Sequence, residues 1–146
     1  MKVKELMTVN AAWVDADTSL AKVAETLRDN DIGCLPVGDN DRLVGMITDR
    51  DIACRAVAEG RDPNKTMARE VMSQGIIYCF EDQTDAEALQ VMESKSIHHL
   101  PVLSREKRIV GMLSLSDFAL KGDRALKAEV PHLASRDAAR HRDRLH

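Results

Sequence analysis

The stretch GMITDRD, residues 45–51, has a near copy 66 positions later in GMLSLSD, residues 111–117. Both copies hold a glycine, two apolar residues, a hydroxyl residue and, three positions on, an aspartate. Upstream the two halves match at an offset of 65, where DIGCLPV (31–37) aligns with SIHHLPV (96–102). The slip of one residue falls in the loop after Pro101, and turns accommodate insertions. We interpret the chain as two copies of one structural unit.

Each copy predicts the order strand, helix, strand, strand, helix. Capping residues at 17–19 precede an apolar stripe at helical spacing, and a matching stripe follows in the second copy; the stripes are Leu20, Val23, Ala24 and Leu27, then Ala88, Leu89 and Met92. Short apolar runs around a polar turn predict a hairpin, and a second helix follows it. We expect an α+β fold in which the pseudo-symmetric repeats pack sheet to sheet. Repeat 1 spans 1–65, repeat 2 spans 66–122, and a tail, 123–146, is predicted to be helical.

Composition is that of an ordinary globular protein. Hydrophobic residues make up 44% of the 146 residues and charged residues 31%. No apolar run approaches the roughly 18 residues of a membrane span. The first residues, MKVKELMT, lack the apolar core of a secretory signal, so we expect a cytoplasmic protein. Cys34, Cys54 and Cys79 are widely spaced without a CxxC pair, which favours reduced thiols.

Charge is distributed unevenly along the chain. The net charge is −3, yet residues 121–146 hold seven Lys or Arg against four Asp or Glu. A chain of net negative charge is not a general binder of polyanions, so we do not expect nucleic acid as a partner. Binding of nucleic acid through the basic tail stays as a third hypothesis, which predicts strong salt dependence and loss of binding when 123–146 are deleted.

Thr48 and Asp51, like Ser114 and Asp117, stand where a predicted strand passes into a helix. The spacing Ser/Thr-x-x-Asp/Glu at a helix start is typical of a capping box, in which hydroxyl and carboxylate accept hydrogen bonds from otherwise unpaired backbone N–H groups. The same arrangement suits a nucleotide, because the hydroxyl can bond a phosphate at the helix N-terminus while the carboxylate accepts both ribose hydroxyls. The residues leave both interpretations open.

The doubled pattern IGCLPV…LVGMITDRDI and IHHLPV…IVGMLSLSDF resembles a pair of CBS domains, the Bateman module, over residues 1 to about 122. The resemblance implies regulatory binding of adenosine-containing ligands such as AMP, ADP, ATP, NAD(H) or S-adenosylmethionine in clefts between the repeats. It places the ribose-binding aspartate on Asp51 and Asp117 and the hydroxyl on Thr48 and Ser114. Family positions that line the adenine fall on Ala12, Ile32, Gly33, Ile77, Ile97 and His98.

His99 departs from the pattern of some nucleotide-sensing members, which carry HRLPV where this chain has HHLPV. A neutral imidazole gives one hydrogen bond and no fixed charge, so we expect a weaker, more pH-dependent hold on phosphate than arginine gives. Arg50 offers a substitute charge. We expect no metal at His98 and His99, because neighbouring strand residues point to opposite faces and no Cys or His lies at zinc-like spacing.

The sequence holds no nucleophile elbow, Walker loop, GxGxxG or HExxH, so we expect no catalysis. The leading hypothesis is a regulatory module for signal transduction that senses energy or redox state through an adenosine nucleotide and modulates a separate partner protein. It forms a homodimer if its outer helices pair as the family resemblance implies. The alternative is a constitutive dimerisation or docking module without a physiological ligand, whose Thr/Ser-x-x-Asp pairs are only helix caps. Neither hypothesis requires a cofactor.

Overall fold

The computed structural model describes residues 1–121. In chain order the elements are α1 (Val3–Leu6), β1 (Thr8–Val9), β2 (Val14–Asp15), α2 (Leu20–Asn30), β3 (Cys34–Asp39), β4 (Arg42–Thr48), α3 (Asp49–Ile52) with a π-helical continuation (Ala53–Val57), α4 (Ala68–Val71), β5 (Cys79–Phe80), α5 (Asp85–Lys95), β6 (His99–Leu103), β7 (Ile109–Ser114) and α6 (Leu115–Lys121). None of the helices in this part of the chain is long and apolar enough to cross a membrane. The predicted helical tail, 123–146, lies outside the described residues.

The chain forms two compact units, which we name after the aspartate that each contains. The Asp51 unit comprises residues 11–77 and 106–109. The Asp117 unit comprises residues 1–10, 78–105 and the described residues from 110 onward. Compact units and sequence repeats divide the chain differently, so the boundary between residues 65 and 66 stays a prediction.

The Asp51 unit follows the predicted order in β2, α2, β3, β4 and α3. Its three-stranded sheet has the order β2-β3-β4, with β2 parallel to β3 and β3 antiparallel to β4. Ser19 caps α2 by accepting the Lys22 N–H at 3.3 Å. The buried core draws on α2, the sheet and the later helices; it includes Leu20, Val23, Leu27, Leu35, Val37, Ile47, Ala56 and Val71. Ala24, predicted to belong to the apolar stripe, is exposed, because α2 turns only the face with Leu20, Val23 and Leu27 toward the core.

The Asp117 unit repeats the order in β5, α5, β6, β7 and α6. Its sheet has the order β1-β7-β6-β5, with β5 parallel to β6 and β1 antiparallel to β7. Thr84 caps α5 in a reciprocal box with Glu87. The predicted stripe of Ala88, Leu89 and Met92 is buried.

Each sheet carries at its edge a segment that belongs to the other sequence repeat. In the Asp117 unit, Thr8 and Val9 pair with Met112 and Gly111. In the Asp51 unit, Ser73 exchanges two backbone hydrogen bonds with Met46, of 3.0 and 2.8 Å. The exchange brings backbone against backbone at the repeated glycine of each motif.

The glycine that opens each repeated motif is required by this close approach. A Cβ on Gly45 would lie 2.9 Å from the Ser73 carbonyl oxygen, and one on Gly111 would lie 2.7 Å from the Thr8 carbonyl oxygen. Since real Cβ atoms essentially never come within 3.0 Å of other atoms, any larger residue there would displace the edge segment.

Candidate functional site

Thr48 and Asp51 form a complete capping box at the junction of β4 and α3. The Thr48 N–H donates to Asp51 Oδ2 at 3.0 Å, and the Asp51 N–H donates to Thr48 Oγ1 at 3.0 Å. Because Oγ1 acts here as an acceptor, its own proton stays available to donate. Asp51 Oδ1 makes no hydrogen bond among the described residues, and the side chain is 14% exposed. One carboxylate oxygen is therefore fixed while the other can accept from a ligand.

Ser114 and Asp117 repeat the arrangement with a different hydroxyl bond. The Ser114 N–H donates to Asp117 Oδ2 at 2.8 Å, as in the first copy. The Ser114 hydroxyl lies 3.2 Å from the same Oδ2 and 2.7 Å from Ser116 Oγ, so its proton has partners within the protein. Asp117 is buried, at 8% exposure.

Four of the predicted adenine-lining residues lie beside these junctions. The Gly33 carbonyl accepts the Asp49 N–H at 3.0 Å, and the equivalent His98 carbonyl accepts the Leu115 N–H at 3.1 Å. Ile32 and Ile97 directly precede these residues, and both are partly buried. In each unit an isoleucine and the backbone carbonyl of the next residue thus lie next to the hydroxyl and the carboxylate.

Ala12 and Ile77 are placed less directly. Ala12 packs, like Ile32, against the core of the Asp51 unit. Ile77 is the last residue of the first segment of that same unit, whereas Ile97 and His98 belong to the Asp117 unit. The assignment of Ile77 to an adenine pocket with these two residues stays a prediction.

The residues proposed for phosphate differ in charge. Arg50 is exposed on the first turn of α3 and makes no ion pair with a described residue. His99 is exposed overall, yet desolvation by the surrounding protein lowers its pKa, His98 acts in the same direction, and Asp117 opposes the shift. The lowered pKa favours the neutral ring at neutral pH, and the weak hold on phosphate stays a prediction.

A groove of about 500 Å³ opens on the helical side of the Asp51 unit. It runs between α2 and α3 and reaches the start of β3; its lining is Ala24, Leu27, Arg28, Asp31, Ile32, Gly33, Asp49 and Ile52. Thr48 and Asp51 do not line it. The groove touches two of the predicted adenine residues but does not hold the capping box.

Arg55 is a charged neighbour of Asp51 that the sequence interpretation missed. Its Nη1 donates to the carbonyl oxygens of Val71 at 3.2 Å and Met72 at 3.4 Å. Its Nε lies 3.8 Å from Asp51 Oδ1. The spacing of four residues between Asp51 and Arg55 is the signal that could have indicated the pair. No sequence feature indicated that Arg55 lies in a π-helical stretch. Such stretches are frequent at functional sites.

A family model for the CBS domain matches residues 3–56 and again residues 68–121. The chain belongs to the CBS domain family. The predicted recognition and the α+β fold of two CBS repeats are confirmed. Hypoxic response protein 1 of Mycobacterium tuberculosis is 38% identical to this CBS pair over 117 residues, 80% of this chain and 81% of that protein. The CBS domain-containing protein YhcV of Bacillus subtilis is 34% identical over 118 residues, 81% of this chain and 83% of that protein.

Solved structures of CBS pairs share the fold. The crystal structure of Hypoxic Response Protein I, described with two coordinated zinc ions, has a TM-score of 0.76 at 36% identity and covers 83% of this chain and 98% of that one. The CBS domain pair of protein MJ0100, in complex with 5′-methylthioadenosine and S-adenosyl-L-methionine, has a TM-score of 0.69 at 28% identity and covers 82% and 94%. Within residues 1–121 of this CBS pair, no three His, Cys, Asp or Glu side chains gather as a metal site.

Proposed function

We propose that this CBS pair is a non-catalytic regulatory module that binds an adenosine-containing ligand and modulates a separate partner protein in the cytoplasm. The observation that carries the proposal is the arrangement found in both units. A hydroxyl and a carboxylate stand at the strand-to-helix junction, and one oxygen of each carboxylate makes no hydrogen bond among the described residues. A carboxylate held in this way can accept both hydroxyls of a ribose.

The remaining site residues fit the other parts of such a ligand. Ile32 and Ile97 offer partly buried apolar surface for a flat base, and the neighbouring backbone of Gly33 and His98 offers polar groups at the same place. Arg50, unpaired among the described residues, is available to a phosphate. The ligands in the MJ0100 complex, 5′-methylthioadenosine and S-adenosylmethionine, support the adenosine class for this chain. AMP, ADP, ATP and NAD(H) are the other members of the class to be tested.

Regulation would act by a shift between two arrangements of the module. A ligand that binds one arrangement better than the other changes the affinity for a partner, and typical couplings between sites are about 1 to 3 kcal/mol. No bond of the ligand has to break, which agrees with the lack of an enzyme motif in the sequence.

We also propose that the protein pairs with a second copy through its outer helices. The groove between α2 and α3 is partly apolar, and Val57, just beyond α3, is 64% exposed. Covering such surface in a homodimer removes apolar area from water. Analytical ultracentrifugation of the wild type and of Val57→Asp tests this: the wild type should sediment as a dimer and the variant should dissociate, whereas a monomeric wild type contradicts it.

The alternative, a docking module without a ligand, is favoured by one observation. Both pairs already serve as helix caps, and capping alone accounts for a Thr/Ser-x-x-Asp spacing. Under this alternative, Asp51→Ala and Asp117→Ala each cost about 1 kcal/mol of unfolding free energy and change nothing else.

Isothermal titration calorimetry on nucleotide-stripped protein separates the two. We expect micromolar binding of at least one ligand among AMP, ADP, ATP, NAD, NADH, S-adenosylmethionine and 5′-methylthioadenosine, lost at one site in Asp51→Ala or Asp117→Ala. Each variant should keep its far-ultraviolet circular dichroism spectrum. Folded wild-type protein that gives no heat with any of the seven would contradict the proposed ligand binding and favour the docking function.

A further inference from the structure

The two candidate sites differ most in the charges around their aspartates. At matched positions, the Asp51 unit has Asp49, Arg50 and Arg55 where the Asp117 unit has Leu115, Ser116 and Lys121. The carboxylate is common to both. A difference in what each site binds can arise at these three positions, at the hydroxyl residues Thr48 and Ser114, and at His99, which stands where the Asp51 unit has Cys34.

Arg55 places a fixed positive charge beside Asp51. Its guanidinium is held by the carbonyl oxygens of Val71 and Met72, 3.2 and 3.4 Å away, while Nε stands 3.8 Å from Asp51 Oδ1. An arginine anchored by two carbonyls does not swing freely, so its charge stays near the carboxylate. Arg50 adds a second cation on the adjacent turn, and Asp49 a second carboxylate. The charges of the Asp51 site therefore balance.

The Asp117 site lacks that fixed cation. Leu115 and Ser116 replace one carboxylate and one cation by neutral residues, and the exposed Lys121, at the position of Arg55, makes no ion pair with Asp117. The nearby His99 ring is neutral near neutral pH, because desolvation lowers its pKa. Asp117 is buried, and the charge of a buried carboxylate is screened less by salt and water than that of an exposed one. Unlike Asp51, Asp117 thus has no cation held beside its carboxylate within residues 1–121.

The hydroxyl groups of the two sites differ in a way that supports the same distinction. Thr48 Oγ1 accepts the Asp51 N–H and keeps its own proton to donate to a phosphate oxygen. Ser114 Oγ lies 3.2 Å from Asp117 Oδ2 and 2.7 Å from Ser116 Oγ, so its proton already has an acceptor. An anionic ligand would find a free hydroxyl proton on Thr48 but none on the matching Ser114.

Resting on the proposed function, we infer that the two sites take adenosine ligands of different charge. The Asp51 site takes a phosphate-bearing ligand, the Asp117 site takes an uncharged or cationic one, and Arg55 is the residue that makes the first site tolerate phosphate. Arg55 acts by offsetting the charge of Asp51.

Two probes that differ only at the 5′ position test this inference. AMP carries a phosphate there and 5′-methylthioadenosine a neutral thioether. Both are titrated calorimetrically into wild type, Asp51→Asn, Asp117→Asn, Arg55→Met and the charge-preserving control Arg55→Lys. Asparagine is nearly isosteric with aspartate and can still accept the capping hydrogen bond, so the Asn variants remove charge with little change in shape. Melting temperatures identify variants that fail to fold.

We expect Asp51→Asn to abolish AMP binding and leave 5′-methylthioadenosine within twofold, and Asp117→Asn to do the reverse. Arg55→Met should weaken AMP about tenfold and Arg55→Lys less, with 5′-methylthioadenosine unchanged in both. AMP affinity should also fall with added potassium chloride while that of 5′-methylthioadenosine holds.

Each other outcome overturns a distinct claim. Loss of AMP in Asp117→Asn, equal binding of both probes at both sites, or unchanged AMP affinity in a folded Arg55→Met protein overturns the inference and leaves the proposed function standing. Failure of wild-type protein to bind any adenosine ligand overturns both. If Arg55→Met does not fold, Arg55→Lys and the salt series still decide, since an AMP affinity insensitive to salt contradicts a charge-based preference.

Discussion

Substituting Gly111 by alanine should destabilise the Asp117 unit by forcing β1 away from β7. A Cβ at Gly111 would lie 2.7 Å from the Thr8 carbonyl oxygen and 2.8 Å from Met7 Sδ. The methionine side chain can rotate aside, but the carbonyl belongs to the backbone. Ordinary contact begins at about 3.4 Å, so β1 would have to retreat by about 0.7 Å.

The cost follows from how little holds β1 in place. The strand has two residues, paired with Met112 and Gly111, and a further backbone bond of 3.3 Å joins Asn10 to Val110. A shift of that size strains these bonds or pushes against the core beneath them. Overpacking of this kind costs about 1 to 3 kcal/mol. The Gly45→Ala change should act alike in the Asp51 unit, where the Ser73 carbonyl oxygen is 2.9 Å from the added atom.

Urea denaturation followed by circular dichroism measures the effect. The matched control is Gly75→Ala, because nothing lies within 4 Å of a Cβ at Gly75. That change should leave stability unaltered or raise it by about 0.4 to 1 kcal/mol, since alanine restricts the unfolded chain. If Gly111→Ala proves as stable as Gly75→Ala, the backbone contact does not explain the repeated glycine.

Three further predictions concern the cap of α5, the protonation of His99 and the reactivity of the cysteines. Thr84→Ala removes the α5 cap and should cost about 1 kcal/mol in urea, with Thr84→Ser retaining most of it; equal losses in both would contradict a hydroxyl cap. Because the pKa of His99 is lowered on folding, the unfolded chain takes up its proton first, so stability should fall from about pH 7 to about pH 5 and less so in His99→Gln; parallel curves would refute this. In native protein at about pH 8 a thiol reagent should label exposed Cys54 alone, because burial raises the pKa of Cys34 to about 11 and of Cys79 to about 12; labelling of all three would contradict the fold.

The repeat and its helices could be predicted because a helix that buries one face carries apolar residues at regular spacing in the sequence. Leu20, Val23 and Leu27 recur at the spacing of one helix face, and Ser19 marks where the helix begins. Ala24 shows where that reasoning fails, because alanine is a good helix former on either face and its side chain does not report burial.

The exchanged edge segments could not be predicted. β1 has only two residues, too few for any alternation to show, and both of them are exposed. The repeated glycines are consistent with a close approach of another backbone segment, but they do not indicate which segment it is. The link from Gly111 to Thr8 spans most of the chain, and no local pattern encodes a pairing at that distance.

The candidate sites were predictable in part. The Thr/Ser-x-x-Asp spacing indicated the junctions, and Gly33 and His98 lie beside them because β3 and β6 enter next to the ends of β4 and β7. Arg55 was not predicted, because its position depends on a π-helical turn and on carbonyl oxygens that the later segment around Val71 supplies. Side-chain roles fixed by tertiary contacts of this kind are outside the reach of a repeat pattern.

The central claim, that the two aspartates hold a ribose, is tested most directly by titrating AMP and 5′-methylthioadenosine into wild-type protein and the double variant Asp51→Asn/Asp117→Asn. We predict micromolar binding of at least one of them to wild type and no heat with the folded double variant. Binding that survives unchanged in the double variant would contradict the claim, and the two repeated motifs would then be helix caps alone.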